Sequence, residues 1–535
     1  MASAPSDRRT IYHYTYRRSP DQDTAAPVRH PVIVVGAGPV GLTAAIDLAL
    51  RGVPVVVLDD SDRIGEGSRG ICYAKRTLEI LDRLGVGEGL VQQGVTWKLG
   101  KVYLGDELVY SFDLLPEDGH KMPAFINLQQ YYLEKALVDR ALSLANIDLR
   151  WRNKVVGLER RNDDVRLTIE TPDGRYHLDA DWVIAADGAR SAVRDLMGLG
   201  FKGVTFEDKF LIADIRMTAD FPTERRFWFD PPFHSGQSAL MHRQPDNVWR
   251  IDLQLGPDAD VDAEQQPDRV TARLKRMLGD REFELEWVSI YRFNCRRLER
   301  FVHGRVIFVG DSAHQVSPFG ARGANSGVQD AENLAWKLAA VLRSEADTRL
   351  LDSYDLERVQ AADENIGHST RSTDFIAPHS PAERNLRNAV LALAPRCEFA
   401  RRMVNSGRLS VATVYDTPLS TPDEDAFAGS ARLGAPAPDA QMQKRDGRPC
   451  HLVAQLSNEF ELLYVRDGTT PSAPEGVRLT VIGEDLNDVR GYFAERFDAT
   501  PGAAYLLRPD QHLCARWRRF DAAKVKTARA RALGH

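Results

Sequence analysis

Pro31-Val-Ile-Val-Val-Gly36-Ala-Gly38-Pro39-Val40-Gly41 is the stretch that decides the fold. Four β-forming residues lead into G-x-G-x-x-G. A helical pattern follows, with Leu42, Ala45, Ile46, Ala49 and Leu50 on one side and Gly52 as its stop. A second strand, Val55-Val-Val-Leu58, ends in Asp59. Strand, glycine turn, helix, strand and acidic residue together make a βαβ dinucleotide-binding unit. Gly36 permits the tight turn, Gly38 lets a pyrophosphate approach the backbone, and Gly41 lets helix and strand pack closely. Asp59, falling directly after the strand, is placed to accept from ribose hydroxyls.

A second signal of the same order lies far downstream. Arg305-Val-Ile-Phe-Val-Gly310-Asp311 is a short apolar strand stopped abruptly. It leads through a loop containing His314, Pro318, Gly320, Arg322 and Gly323 into a helix that begins near Ala324 and Asn325. Val328, Ala331, Leu334, Ala335, Leu338 and Val341 recur there at helical spacing. Such a helix start offers free N–H groups and a partial positive charge. A third buried strand, Asp181-Trp-Val-Ile-Ala-Ala, ends in Asp187-Gly188 with Arg190 and Ser191 after it.

Between these signals the pattern changes. Short alternating strands from Ile147 to Leu178 suggest a small antiparallel sheet inserted in the nucleotide-binding part. Residues 201–300 are rich in β-formers and aromatics. A hairpin is expected at Gln244-Pro-Asp-Asn247, then a strand Val248–Leu255 with Trp249, Ile251, Leu253 and Leu255 on one face and Arg250, Asp252 and Gln254 on the other. Leu350 opens a helical stretch that runs to about Arg402. The expected division is an arm over 1–30, a cofactor-binding part over 31–200 that returns over 301–402, a β-rich substrate part over 201–300, a linker over 403–440 and a small α/β unit over 441–535.

Composition narrows the function classes. The 535 residues are 43% hydrophobic and 27% charged, a soluble globular profile, and the net charge of −6 gives no general attraction to nucleic acid or anionic membrane. Five scattered cysteines form no CxxC pair or metal-spaced cluster, so neither a disulfide framework nor a metal site is expected, and a cytoplasmic location fits. The first 30 residues are polar, without a signal-peptide core. The apolar run from Pro31 to Leu58 is broken by Asp47, Arg51 and glycines, so no membrane span is expected.

The three motifs, in this order, resemble those of the single-component FAD-dependent aromatic hydroxylases with the p-hydroxybenzoate hydroxylase fold, over about residues 30–395. The segments Ala431-Arg-Leu-Gly434 and Leu507-Arg508-Pro509-Asp510 resemble the thioredoxin-like tail of the phenol hydroxylase and 3-(3-hydroxyphenyl)propionate hydroxylase branch; the tail lacks CxxC. The resemblance implies a Rossmann-like α/β FAD-binding domain, an inserted β-rich substrate domain and that tail. It implies bound FAD, NAD(P)H as reductant, O2 as co-substrate, and hydroxylation of a small electron-rich aromatic through a flavin C4a-hydroperoxide. A homodimer is compatible with it. Gly36, Gly38, Pro39, Val40, Gly41 and Asp59 would hold the ADP half. Arg69, Gln130, Asp187, Gly310 and Asp311 would meet ribose, ribitol or phosphates, Gly320, Arg322, Gly323, Ala324 and Asn325 would line the flavin, and Pro318 on the same loop would be a catalytic position. Arg322 departs from the usual pattern; it could contact flavin, stabilise its anionic reduced form or face solvent. His314 reads as a scaffold for the loop.

In the substrate part the residues leave alternatives open. His234, His242, Arg250, Gln254 and Tyr291 are the candidates for base or anchor. His242 ends a strand and could be structural. Arg250 could hold a substrate carboxylate or pair with Asp252 or a neighbour. Tyr291 could bond a phenol or belong to the core. A different flavoenzyme, a dehydrogenase or halogenase, is the alternative function, although no WxWxIP signature is present.

Overall fold

A computed structural model describes residues 12–64, 70–404 and 409–535. The first of its two eight-stranded sheets grows from Val28–Val35. This strand pairs in parallel with Val55–Leu58 on one side and Gly174–Ala185 on the other. Ile147–Arg150 extends the sheet beyond Val55–Leu58, and Val306–Phe308 adds in parallel to the end of Gly174–Ala185. The helix between the first two parallel strands, Pro39–Leu50, is almost wholly buried. Its Ala-rich sequence allows close packing against the returning helix Gly323–Leu342, itself buried over most of its length.

The expected separate antiparallel sheet over 147–178 is not separate. Gly174–Ala185 is a single 12-residue strand. Its leading half pairs antiparallel with Val165–Thr171, and its trailing half pairs in parallel with Val32–Val35 and Val306–Phe308. Lys154–Arg160 follows Val165–Thr171. One long strand thus carries the antiparallel ribbon into the parallel sheet, because Ala180 and Asp181 stay extended where the sequence suggested a break.

The second sheet runs, in spatial order, His314–Gln315, Glu284–Arg297, Lys202–Arg216, Val248–Leu255, Ser238–Arg243, Arg225–Phe229, Leu99–Leu104 and Glu107–Asp113. Its last two strands come from within the span expected to serve only the cofactor. They join through the parallel pairing of Leu99–Leu104 with Arg225–Phe229. The expected hairpin forms, with Asp246 and Asn247 both at positive φ, the conformation that matches strand twist across a two-residue turn. Strand Val248–Leu255 has the expected bounds, and Trp249, Ile251, Leu253 and Leu255 pack into one dry cluster on the outer face.

The helical stretch after Leu350 is three helices, Leu350–Ile376, Pro381–Leu393 and Glu398–Met403. Pro381 restarts it behind a capping box between Ser380 and Glu383. The described part of 403–440 is not a free linker. Leu409, Tyr415, Leu419, Ala431 and Ala437 are buried. Tyr415 lies over His512 and accepts from Arg358, which explains why this segment lies down on the body. The C-terminal seven-stranded mixed sheet includes both expected strands, Phe460–Val465 and Val477–Ile482, paired in parallel.

That sheet docks through charge. Trp336 Nε1 donates to Asp510 Oδ2 at 3.0 Å, Arg508 grips both Asp510 and Glu357, and Glu357 also takes Lys337 at 2.8 Å. All five side chains are buried. The Arg508-Pro509-Asp510 segment singled out in the sequence is therefore the clamp on the back of Gly323–Leu342. Among the described residues no helix is long and apolar enough to cross a membrane.

Candidate functional site

The first motif folds as a cradle at the end of the first sheet. Gly36 has φ +108°, and a Cβ there would come within 2.5 Å of the Ala186 carbonyl oxygen. A Cβ on Gly41 would strike the Gly36 carbonyl oxygen. These two glycines are demanded by the fold. Gly38 differs, because a Cβ there meets nothing within 4 Å. Pro39 begins the helix, and the N–H groups of its first turn have no partner within the helix. Open space beside Gly38 in front of a helix start suits a diphosphate.

Asp59 takes the Ala37 N–H at 2.6 Å on one oxygen and the Ser61 N–H at 2.9 Å on the other. Burial pushes its carboxyl up to about 6 against those two hydrogen bonds. A carboxylate with one bond on each oxygen retains acceptor capacity for a ribose hydroxyl. Asp187 accepts from Val193 N–H through Oδ2, while its buried Oδ1 has no partner; burial raises this carboxyl too. Open backbone at Gly38 and an orphaned oxygen at Asp187 are features that an adenine dinucleotide would satisfy, so the residues fit FAD.

Val40 links this cradle to the downstream loop. A Cβ on Gly310 would press on Val40 Cγ2 at 3.0 Å, so the two motifs share one contact. Gly310 donates its N–H to Asp330, which also takes His314 Nε2 at 2.6 Å and Arg358 Nε at 2.5 Å. Asp330, His314 and Arg358 are buried and brace the loop against helix Leu350–Ile376. Asp311 and Pro318 lie exposed at the loop's outer edge. Gly320 is at φ +111°, and its carbonyl holds Ser410 N–H.

One alternative for Arg322 drops out, and the Asn325 side chain has another part. Arg322 does not face solvent: it is 4% exposed and donates to Asn365 Oδ1 at 3.1 Å. The Asn325 amide does not offer itself to a ring. Its oxygen accepts Ala74 N–H, and its nitrogen donates to the Cys72 and Ala321 carbonyls. It ties the helix start (Gly323, Ala324) to strand Cys72–Ala74, because an extended edge there leaves backbone groups to satisfy. Gln130 plays a similar part. It takes Gly70 N–H at 2.9 Å and donates to Glu134. Arg69 lies outside the described residues.

The inner face of the second sheet looks onto this loop. Phe319 meets Phe210 and Phe293 at ring-centroid distances of 4.9 and 5.5 Å. Cross-strand register sorts the face into rows. One row places His242 opposite Arg250, Arg250 opposite Asp214 and Asp214 opposite Trp287; the next holds Leu240, Asp252, Ile212 and Ser289; a third holds Gln254, Phe210 and Tyr291.

This register decides most of the alternatives that the sequence leaves open among the substrate candidates. Arg250 is committed to Asp214, not Asp252, by two bonds of 2.8 Å. Asp214 is its directly opposite residue, whereas Asp252 follows two positions along the same strand. His234 gives its ring nitrogen to the Gln254 carbonyl, and the Gln254 side chain is spent on Ser238 and Asp208. His242 is 3% exposed, packs edge-on to Trp97, and has no partner on Nδ1. Burial and then the charges of Arg225 and Arg250 hold it well below the usual imidazole range, so it stays neutral and is a poor base. Tyr291 lies on the same face but three strands across and four residues along from His242, so the two are too far apart to hold one small ring together.

Sequence reading passes over Arg225. It opens strand Arg225–Phe229 in phase with buried Phe227 and Phe229, on the inner face, and is itself 6% exposed. An arginine occupying the apolar phase of a strand is the signal that could have found it.

The FAD binding domain family matches residues 29–369, more than half of the chain. A flavin-dependent monooxygenase of Mycobacteroides abscessus is 31% identical over 76% of this chain and 83% of its own length. The para-nitrophenol 4-monooxygenase of Pseudomonas sp. (strain WBC-3) is 32% identical over 61% of this chain and 82% of its own. Among solved structures, the flavin-dependent monooxygenase PieE, in complex with FAD and substrate, superposes with a TM-score of 0.79 at 24% identity, covering 95% of this chain and all of that one; the likeness is one of fold.

Proposed function

The chain belongs to the FAD binding domain family and is an FAD-dependent monooxygenase; we propose that it hydroxylates a small phenolic ring in the cytoplasm, with NAD(P)H as reductant. The observation that carries this reading is the inner face of the second sheet. It sets aromatic walls, Phe210, Phe227, Phe229 and Phe293, and a buried polar row against the loop of Gly310 to Asn325.

Bound FAD, reduced by NAD(P)H, supplies the activation of O2 and the transfer of one oxygen atom to the ring. Gly36, Gly38, Gly41, Asp59 and Asp187 would hold its ADP half, and the 310–325 loop its ring. The chain's own work is to hold the aromatic ring against that loop and keep water away. Phe319 packs on Phe210 and Phe293 and so makes an apolar seam between the loop and the sheet. Desolvation strengthens each polar contact made there. The Gly323–Leu342 helix start carries a partial positive charge that would stabilise negative charge beside the loop by roughly 0.3–2 kcal/mol.

The test uses purified protein. A yellow, FAD-loaded protein should oxidise NAD(P)H faster with phenols, hydroxybenzoates, phenylpropionates or aminobenzoates, and give a product heavier by one oxygen. A halogenated product, or turnover that does not need O2, would sink this reading in favour of a halogenase or dehydrogenase. Sedimentation of the same sample tests the homodimer.

A further inference from the structure

Arg225 is a buried cation that the fold leaves without a counter-ion. Arg250 takes Asp214, and Arg226, on the opposite face, takes Glu224. Arg225 makes no hydrogen bond or ion pair with any described residue, although Cys72 and Asp252 lie near enough for their charges to act on it. A guanidinium buried to this degree without a counter-ion is costly, so the site suits a partner that arrives from outside. Two more orphans adjoin it. His242 Nδ1 and Asp252 Oδ1 are both buried and unpartnered. The register puts them together: Leu240 faces Asp252 while His242, two residues along, faces Arg250. Strand Arg225–Phe229 runs beside this pair, with Phe227 opposite Leu240.

The cluster also touches the cofactor loop by a short path. Asn325 binds the Cys72 carbonyl, Cys72 Sγ meets Asn127, Asn127 takes Trp97 Nε1, and Trp97 packs on His242. A cation, a carboxylate and a neutral imidazole, all unsatisfied, therefore lie at one end of the substrate face.

We propose that Arg225 and Asp252 form the ionising end of the substrate pocket: Asp252 accepts the proton of a ring hydroxyl and Arg225 holds the phenolate that results. The phenol O–H bond breaks, a carboxyl O–H bond forms, and the electron pair stays on the ring oxygen, where it activates the ring towards an electrophilic oxygen. No oxidant is needed for this step. The proposal rests on the phenolic substrate proposed above. Asp252 suits the part better than His242. Burial pushes its carboxyl up to about 6, with Arg250 and Arg225 opposing and Asp214 assisting; Cys72 also faces it. A base poised near neutral pH transfers protons well.

The FAD-loaded protein is titrated with 4-nitrophenol below the solution pKa of that compound, where the free form is mostly colourless and the phenolate is yellow. The wild type should show the phenolate band on binding. Calorimetry in two buffers of different ionisation enthalpy should show no net proton release. Asp252→Asn should still bind phenolate but release about one proton to the buffer. Arg225→Met should weaken phenolate binding on the order of 100-fold, the loss expected when a buried ion's partner is removed, and Arg225→Lys should recover part of it. FAD content and thermal melting establish that each variant is folded. No binding, binding as the neutral phenol, unchanged affinity in Arg225→Met, or unchanged proton release in Asp252→Asn overturns the proposal. Arg225-dependent binding of 4-nitrobenzoate tighter than that of 4-nitrophenol also overturns it, assigning Arg225 to a carboxylate. If Arg225 binds phenolate but no phenol is hydroxylated, the failure lies with the substrate reading and not with this site.

Discussion

The two eight-stranded sheets use the same strand geometry to opposite ends. The first is apolar where its parallel strands meet: Val32–Val35, Val55–Leu58 and Val183–Ala185 fill one dry core, and the residues that fit a cofactor lie past the strand ends, at Gly36–Gly41, Asp59 and Asp187. The second is dry on its outer face alone. Its inner face carries Arg225, His242, Arg250, Asp252 and Asp214 on the strands themselves. On the proposed function the cofactor would be met mainly by backbone at a sheet edge, and the substrate by side chains within a sheet. A backbone site demands particular conformations, whereas a side-chain site demands particular pairings.

The sharpest way to break this contrast is Gly41→Val. The new side chain would strike the Gly36 carbonyl, so no folded, FAD-loaded protein should be recovered, as absorbance and melting would show. Gly38→Ala, whose Cβ meets nothing, should leave melting unchanged and weaken FAD retention. A pair of glycine substitutions that spared both folding and FAD retention would end this account of the cradle.

Next in size is Asp214→Ala, which leaves Arg250 buried without its bidentate partner. It should cost about 3–5 kcal/mol in denaturant unfolding. Arg225→Met removes a charge that has no partner to orphan, so it should cost much less stability while removing most of the phenolate affinity. Equal losses of stability would mean that the two arginines do not differ.

A pH series then separates the regions. Glu357 and Asp510, beside Arg508, are held below the usual carboxylate range despite burial. Their contribution is full above an unfolded pKa of about 4 and is lost as pH falls below it, so Glu357→Gln should remove the part of the melting loss that appears in acid. Asp59 and Asp252, pushed up to about 6, have the opposite sign: the FAD-free protein loses stability as pH rises from about 4 to 6. Asp252→Asn should flatten that part of the curve with or without FAD, and Asp59→Asn only without it.

The smallest effect is on potential. Arg322→Gln should lower the flavin midpoint potential by about 30 mV, the equivalent of ~1.4 kcal/mol for a two-electron couple. Since Arg322 is buried beside Asn365, an unchanged potential would make it a strut between loop and helix.

The cofactor half is legible in the sequence because its requirements are local. Gly36 and Gly41 are fixed by contacts within a few residues or with the adjacent strand, and Asp59 follows its own strand. Strand Val248–Leu255 and its two faces are equally legible, since alternation is a property of neighbours in sequence. The role of Asn325 is not, because its partners Cys72 and Ala74 lie some 250 residues away. Arg250 and Arg225 show the limit most plainly. The sequence alone placed Arg250 on the polar face of an expected strand and both arginines within the β-rich span 201–300. Only the tertiary structure decided that Asp214, 36 residues from Arg250, satisfies that residue and leaves Arg225 bare, because the pairing of charges across a sheet is set by register between distant strands and by exclusion of water, and neither is written in the order of residues along one strand.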